Sequence, residues 1–293
     1  MQVAYVHIFA AQSPGPCREL ALVLQSQGIP SQTIEHDGVF QLWVPESDLL
    51  MAKTELAVYQ SENVNWKPRR ERVVFDKFNP WPGLWAYVLL MLFVTFAAGS
   101  GLFGLSWFSD GKVNAGLVLD GEWWRTFTAL TLHADVGHLA GNLGFGLLFG
   151  YFAGQLFGSG VGWLGIVLSG AVGNYINSFL SSSSHTSVGA STAIFGALGL
   201  VAAFSWRRKL YPQDRWVGRL GPLIGGIALL AFTGTGGERT DVGAHLTGFV
   251  SGIAIGSIQA VWPVNWLRQS RVQWLAGGSA VSLLMVSWVL ALL

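Results

Sequence analysis

The chain has 293 residues, 51% of them hydrophobic and only 11% charged, with a mean hydropathy of +0.45. That balance excludes a pair of ordinary soluble domains and describes a polytopic membrane protein. A net charge of +1 supplies no field for nucleic acid, and 14 Trp with 18 Phe suit interfacial belts and lipid-facing surfaces rather than base stacking. The single cysteine, Cys17, excludes an internal disulfide framework and a cysteine-rich metal site, and reads as a small, partly buried side chain.

Residues 1–25 lack a basic leader and a long apolar core and carry Glu19, with Glu35 and Asp37 following, so no cleavable signal or transit peptide is expected and the first span serves as its own targeting signal. Residues 1–65 read as a small α+β domain. Alternation over Val3–Phe9 and Val39–Val44 predicts strands, and helical spacing over Arg18–Gln27 and Ser47–Gln60 predicts helices, in the order strand, helix, strand, strand, helix. Pro30-Ser31 and Asp37-Gly38 supply turns, and Glu46-Ser47-Asp48 a helix start. His7 and His36 fall on strands or surface with no catalytic constellation around them, so this part reads as regulatory or stabilising.

Residues 66–82 form a basic, proline-punctuated linker containing Lys67, Arg69, Arg70, Arg72 and Lys77. Gly83–Leu105 then runs without charge for long enough to cross the ~30 Å of a bilayer's hydrocarbon. Further spans are expected at about 134–157, 160–180, 188–205, 219–234, 242–262 and 273–293, which makes seven, six plus one. Lys and Arg divide twelve to three between the two sides. The rich side holds the linker, the loop residues Arg207, Arg208, Lys209, Arg215 and Arg219, and Arg268 and Arg271; the other holds only Lys112, Arg125 and Arg239. Such asymmetry places the N-terminal domain and the loop near residue 210 in the cytoplasm.

With that orientation, spans two, four and six all start at the outer face, and their N-terminal ends carry His138 and Asn142, then Ser191, then His245. Each lies within about two turns, on the order of 10 Å, of that face. Strongly polar side chains in a membrane are costly unless paired or wet, so four of them at one depth point to a functional cluster. On the sixth span His245, Gly248, Gly252 and Gly256 form one stripe, and on the fourth Ser191, Phe195 and Gly199 form another. Glycine stripes permit an approach close enough for Ser191 Oγ to hydrogen-bond the imidazole, which is the arrangement of nucleophile and general base. His138 and Asn142, an i, i+4 pair, are candidate donors to the oxyanion of a tetrahedral intermediate, with the Ser191 backbone N–H a third. Taken singly, each of these residues reads more readily as an interhelical hydrogen-bonding group, and it is their coincidence at one depth that reverses the reading.

The motifs that carry these residues resemble those of the rhomboid intramembrane serine proteases, specifically the bacterial GlpG type with its cytoplasmic N-terminal domain. Trp124-Arg125 resembles the family's pair in the first outer loop, His133-x4-His138-x3-Asn142 the second-span motif, Gly189-Ala190-Ser191-Thr192-Ala193-Ile194-Phe195-Gly196 the nucleophile motif, and Ala244-His245-x2-Gly248-x3-Gly252 the histidine helix. The resemblance implies an all-α polytopic membrane bundle with a small N-terminal α+β cytoplasmic domain: a six-span core over 83–262, then a linker and seventh span over 263–293. It implies Ser191 as nucleophile, His245 as base, His138 and Asn142 as oxyanion donors, Phe195 as a shelf for the His245 ring, and Gly189, Gly248, Trp124, Arg125 and His133 in support. It also implies a multi-pass protein of the bacterial inner membrane, with the N-terminus cytoplasmic. The substrate would be a transmembrane helix of another protein, cut near its outer end after entering past span five and the 235–241 loop, beside glycine-rich Gly218–Gly237. Two departures stand out: Thr192 follows the nucleophile where many members carry glycine, and the seventh span is absent from the simplest members.

No cofactor or metal is expected, since H-E-x-x-H is absent and His133 and His138 at i, i+5 do not share a helix face. Asp241, four residues before His245, has the signature of a helix cap rather than a triad acid. A non-catalytic relative that escorts membrane proteins is the alternative reading, but such a protein would lack the serine or the histidine. A solute transporter would call for mid-membrane charges and internal repeats.

Overall fold

A computed structural model of the chain describes residues 4–63, 77–208, 220–221, 224–228, 231–232 and 241–293. The linker residues 66–76, the loop around residue 210, parts of the expected fifth span 219–234 (219, 222–223, 229–230 and 233–234) and the 235–240 part of the expected gate fall outside the described residues. The chain divides into two compact units, Met1–Arg72 and Val73–Leu293.

In the first unit, strands β1 (Tyr5–Ala11), β2 (Gln32–His36) and β3 (Val39–Pro45) make an antiparallel sheet in the order β1-β3-β2. Asp37 and Gly38, both at positive φ (52° and 76°), form the tight turn joining β2 to β3, the conformation that suits a two-residue hairpin. Helices α1 (Pro14–Ser26) and α2 (Leu49–Glu62) pack on the sheet. Between them lies a core of Cys17, Leu20, Leu24, Ile29, Leu42, Val44, Ala52 and Leu56. The Cys17 thiol is buried and donates to the Phe40 carbonyl at 3.3 Å. His7 packs edge-on against Trp43, and His36 sits exposed beside Asp37.

The second unit is helical. Its described long helices are Trp81–Ser100, Val136–Phe157, Ser159–Leu180, Ser191–Arg207, Val242–Gln259 and Ser270–Leu292. Trp81–Ser100, Ser159–Leu180 and Ser270–Leu292 are long and apolar enough to cross a membrane, and Ser191–Arg207 is a shorter apolar helix. The first of these stops at Ser100 rather than Leu105, because Gly101 adopts the left-handed conformation (φ 57°) that closes a helix.

Side-chain caps close the N-terminal ends of two of these helices. Asp135 accepts from the His138 N–H at 2.8 Å, and Asp241 accepts from the Ala244 N–H at 2.9 Å, each satisfying one of the donors that a helix start leaves over. At the other end Gly158 alone joins Val136–Phe157 to Ser159–Leu180. Gln273 of the last helix completes that break: its Oε1 accepts from the Gly160 and Val161 N–H groups at 2.9 and 3.2 Å, and its Nε2 donates to the Phe157 and Leu267 carbonyls at 2.9 and 2.8 Å.

The centre of the bundle is the pair Ser191–Arg207 and Val242–Gln259, which meet backbone to backbone. A Cβ placed on Gly248 would stand 2.2 Å from the Thr192 carbonyl oxygen, one on Gly252 2.0 Å from that of Gly196, and one on Gly256 2.5 Å from that of Leu200. From the opposite helix, a Cβ on Gly199 would stand 2.2 Å from the Phe249 carbonyl. Glycine at all four positions is what lets the two axes approach this far, and tight van der Waals contact is what drives helix association where lipid removes the hydrophobic term.

Candidate active site

Ser191 is the first residue of its helix and is half-buried, while Gly189 and Ala190 before it are buried. Gly189 lies at φ 129°, a conformation that disfavours any side chain. Space also excludes one: a Cβ there would stand 2.6 Å from His138 Nε2 and 3.5 Å from Asn142 Nδ2. Both residues of the second-span pair therefore converge on the turn that delivers Ser191. Asn142 is 6% exposed, and its buried Nδ2 has no hydrogen-bond partner among the described residues. A buried amide N–H without a partner is uncommon, and this one lies beside the turn at Gly189. Its backbone is fixed from behind, since Tyr87 Oη donates to the Asn142 carbonyl at 2.7 Å, in space opened by Gly146.

His245 is buried, and its ring lies on Phe195 with centroids 4.4 Å apart and planes inclined by 37°. Ser191 precedes Phe195 by one helical turn and so opens the same helix face. Glycines 248, 252 and 256 continue the His245 stripe into the backbone contact described above. The contact is wider than the expected row of Ser191, Phe195 and Gly199. That row supplies the ring shelf and the Gly199 contact, while the adjacent row of Thr192, Gly196 and Leu200 receives the glycines. Thr192 is 3% exposed, and its methyl would stand 2.9 Å from a Cβ on Gly173. It packs into the junction with Ser159–Leu180 on the row beside Ser191 and Phe195, and Gly173 makes the room for it.

His133 packs its ring edge against His138, with centroids 5.2 Å apart. Burial, with the His138 ring beside it, pushes the His133 pKa down to about 4, so the ring is neutral at pH 7. Arg125 does not face this cluster. It is 9% exposed, its Nη1 donates to the carbonyls of Ser109, Asp110 and Lys112 at 3.1, 2.8 and 3.1 Å, and its Nε pairs with Glu122. These bonds tie Arg125 to the loop over residues 109–112. Trp124, next to it, packs on Trp123.

Asp241 has a second set of partners that sequence spacing does not reveal. Besides capping Ala244, its carboxylate pairs with His185 Nε2 at 2.8 Å and accepts from Asn177 Nδ2 at 3.1 and 3.3 Å. Both oxygens are occupied at the cap and at the loop before Ser191. Asp241→Asn keeps the cap and exchanges the carboxylate's contact with His185 for a weaker one, so we expect turnover to stay within about tenfold of wild type, against the ~10⁴-fold loss when a triad acid becomes an amide. Phe195→Ala, which removes the shelf under the imidazole, is expected to lose more. Steady-state cleavage rates of the two variants decide between these roles.

A cavity of about 1240 Å³ with mostly apolar walls lies elsewhere, between Trp81–Ser100 and Ser270–Leu292, with Tyr87, Trp163 and Ala193 in its walls. Its lining includes neither Ser191 nor His245.

Residues 120–261 match the rhomboid domain. Over 161 residues the chain is 34% identical to rhomboid protease GluP of Bacillus subtilis (strain 168), covering 54% of this chain and 28% of that protein. It is 30% identical over 146 residues to rhomboid-like protease 1 of Toxoplasma gondii, covering 48% and 49%. It is 31% identical over 144 residues to RHOMBOID-like protein 1 of Arabidopsis thaliana, covering 48% and 36%. The chain thus spans about half or less of the length of these relatives.

Proposed function

We propose, for a chain that is a member of the rhomboid family and a multi-pass membrane protein, that it is a serine endopeptidase cutting transmembrane helices of other membrane proteins near their outer ends. The observation that carries the reading is the convergence of His138 and Asn142 on Gly189, two residues before Ser191, with His245 held on Phe195 one turn further on. In the first step Ser191 Oγ attacks the scissile carbonyl carbon and its proton passes to the His245 imidazole. The developing oxyanion is met by His138, by the unpartnered Asn142 amide and by first-turn N–H groups of the Ser191 helix, which have no intrahelical acceptor and lie at the positive end of the helix dipole. As the C–N bond breaks, His245 returns the proton to the leaving amine. Water then repeats the sequence on the ester and restores the serine. With the Asp241 carboxylate occupied elsewhere, Ser191 and His245 act as a dyad whose base is oriented by packing.

The wider proposal is a six-span core with a seventh span after it, carrying a GlpG-type N-terminal unit on the cytoplasmic side of a bacterial inner membrane. The twelve-to-three division of Lys and Arg supports the orientation. Purified protein in proteoliposomes with a single-span substrate tests the reading: the expected products are two fragments whose new ends map to the outer end of the substrate helix. Absence of cleavage across a panel of such helices, or cuts in soluble loops, contradicts it.

A further inference from the structure

The helix Ser270–Leu292 begins beyond residue 261, where the match to the rhomboid domain ends. Its two ends are nevertheless built into the bundle that carries the site. Gln273 completes the break at Gly158, and fifteen residues on, roughly 22 Å along the axis, Trp288 does the corresponding work at the outer end. Trp288 is 7% exposed; its ring lies 4.8 Å from that of Trp107, and its Nε1 donates to Thr131 Oγ1 at 3.1 Å. The pocket for the indole exists because residue 111 is glycine, where a Cβ would stand 2.4 Å from the Trp288 ring.

From Trp288 two sets of hydrogen bonds, joined through the backbone of residues 128–131, lead to the site. Thr131 Oγ1 donates onward to the Thr128 carbonyl at 2.7 Å, and Thr128 Oγ1 donates to the Gly111 carbonyl at 2.6 Å. The short segment so fixed contains Ala129, whose carbonyl accepts the Gly189 N–H at 2.9 Å. Gly189 is the residue against which His138 and Asn142 pack. Val188, beside it, joins Trp107, Leu132 and Trp288 in one apolar cluster. Further along, Val113 and Asn114 pair with Ser187 and Thr186, so the outer loop and the loop before Ser191 are joined along their length.

We propose that Trp288 is a positioning residue: the last helix, through Trp288 and Thr131, sets the Ala129 carbonyl that holds the Gly189 peptide in register with His138, Asn142 and Ser191. The inference rests on the protease reading for its effect on rate, and stands apart from it for its effect on structure. Trp288→Phe keeps an aromatic ring beside Trp107 but removes the indole N–H together with part of the ring, whereas Thr131→Val keeps the side-chain shape and removes the hydroxyl that accepts from it. In the full-length protein we expect kcat to fall by about tenfold, the effect of one buried hydrogen bond felt in the transition state, with KM changed by less than about twofold, as when substrate binding itself is untouched. We also expect faster hydrogen exchange in residues 186–190 and unchanged exchange in the Ser191–Arg207 helix. Thr131→Val is expected to match it, and the double variant to be no worse than either single one. Thr131→Val carries the test alone if Trp288→Phe does not accumulate. Wild-type kcat and exchange in these variants overturn the proposal, as does faster exchange spread evenly over the bundle, the mark of a merely structural role. A wild-type protein that cleaves nothing sinks the protease reading instead, while the exchange comparison still decides whether Trp288 holds the loop.

Discussion

Replacing Ser191 by Ala is expected to lower cleavage of a transmembrane substrate by roughly 10⁴-fold or more, to the level left by binding and oxyanion contacts alone. The substitution removes the attacking atom and nothing else of consequence, because Ser191 is only half-buried and no described helix contact depends on its hydroxyl. His245→Ala is expected to reach the same floor by another route, since a neutral serine without its base does not attack near neutral pH. The double variant should be no slower than either single one, as expected of two residues that act as a unit. His245→Ala also vacates the space over Phe195, so its melting temperature should fall where that of Ser191→Ala does not.

Gly252→Ala is expected to have the largest effect on stability. The added methyl would stand 2.0 Å from the Gly196 carbonyl oxygen, 2.7 Å from its carbon and 2.9 Å from its Cα. All three are backbone atoms of the facing helix, so no rotamer relieves the clash and the helices must separate. Overpacking of this kind costs on the order of 1–3 kcal/mol, and separating the pair also draws His245 away from Ser191. Gly278→Ala is the control: a Cβ there meets nothing within 4 Å, so the better helix propensity of alanine leaves stability unchanged or raised by up to ~1 kcal/mol. Unfolding of the two variants measured side by side in the same lipid separates helix contact from a general intolerance of substituted glycines.

The His245 stripe is legible in the sequence because a helix surface repeats every three or four residues, and glycines at 248, 252 and 256 leave one reading of that face. The row facing it is only half legible. Backbone carbonyls, not side chains, receive those glycines, so Thr192 and Leu200 serve as well as Gly196, and residue type gives no sign of it. The same physics hides the work of Arg125, whose three carbonyl acceptors at Ser109, Asp110 and Lys112 have no signature in the chain. Asp241 reads correctly as a cap, but its pairing with His185 and Asn177 joins three separate elements that spacing cannot relate. Trp288 shows the limit most clearly, since a tryptophan near the end of an apolar run has the signature of an interfacial anchor. Its partner Thr131 stands 157 residues away, and only Gly111 makes the pocket.

The central claim is that Ser191 is a nucleophile made reactive by His245. The most direct measurement is mass spectrometric mapping of the adduct formed when the protein in lipid is treated with a serine-reactive fluorophosphonate. The account predicts one modified residue, Ser191, with labelling lost in His245→Ala and retained in Asp241→Asn. An adduct on any other residue, or undiminished labelling of Ser191 without His245, contradicts it.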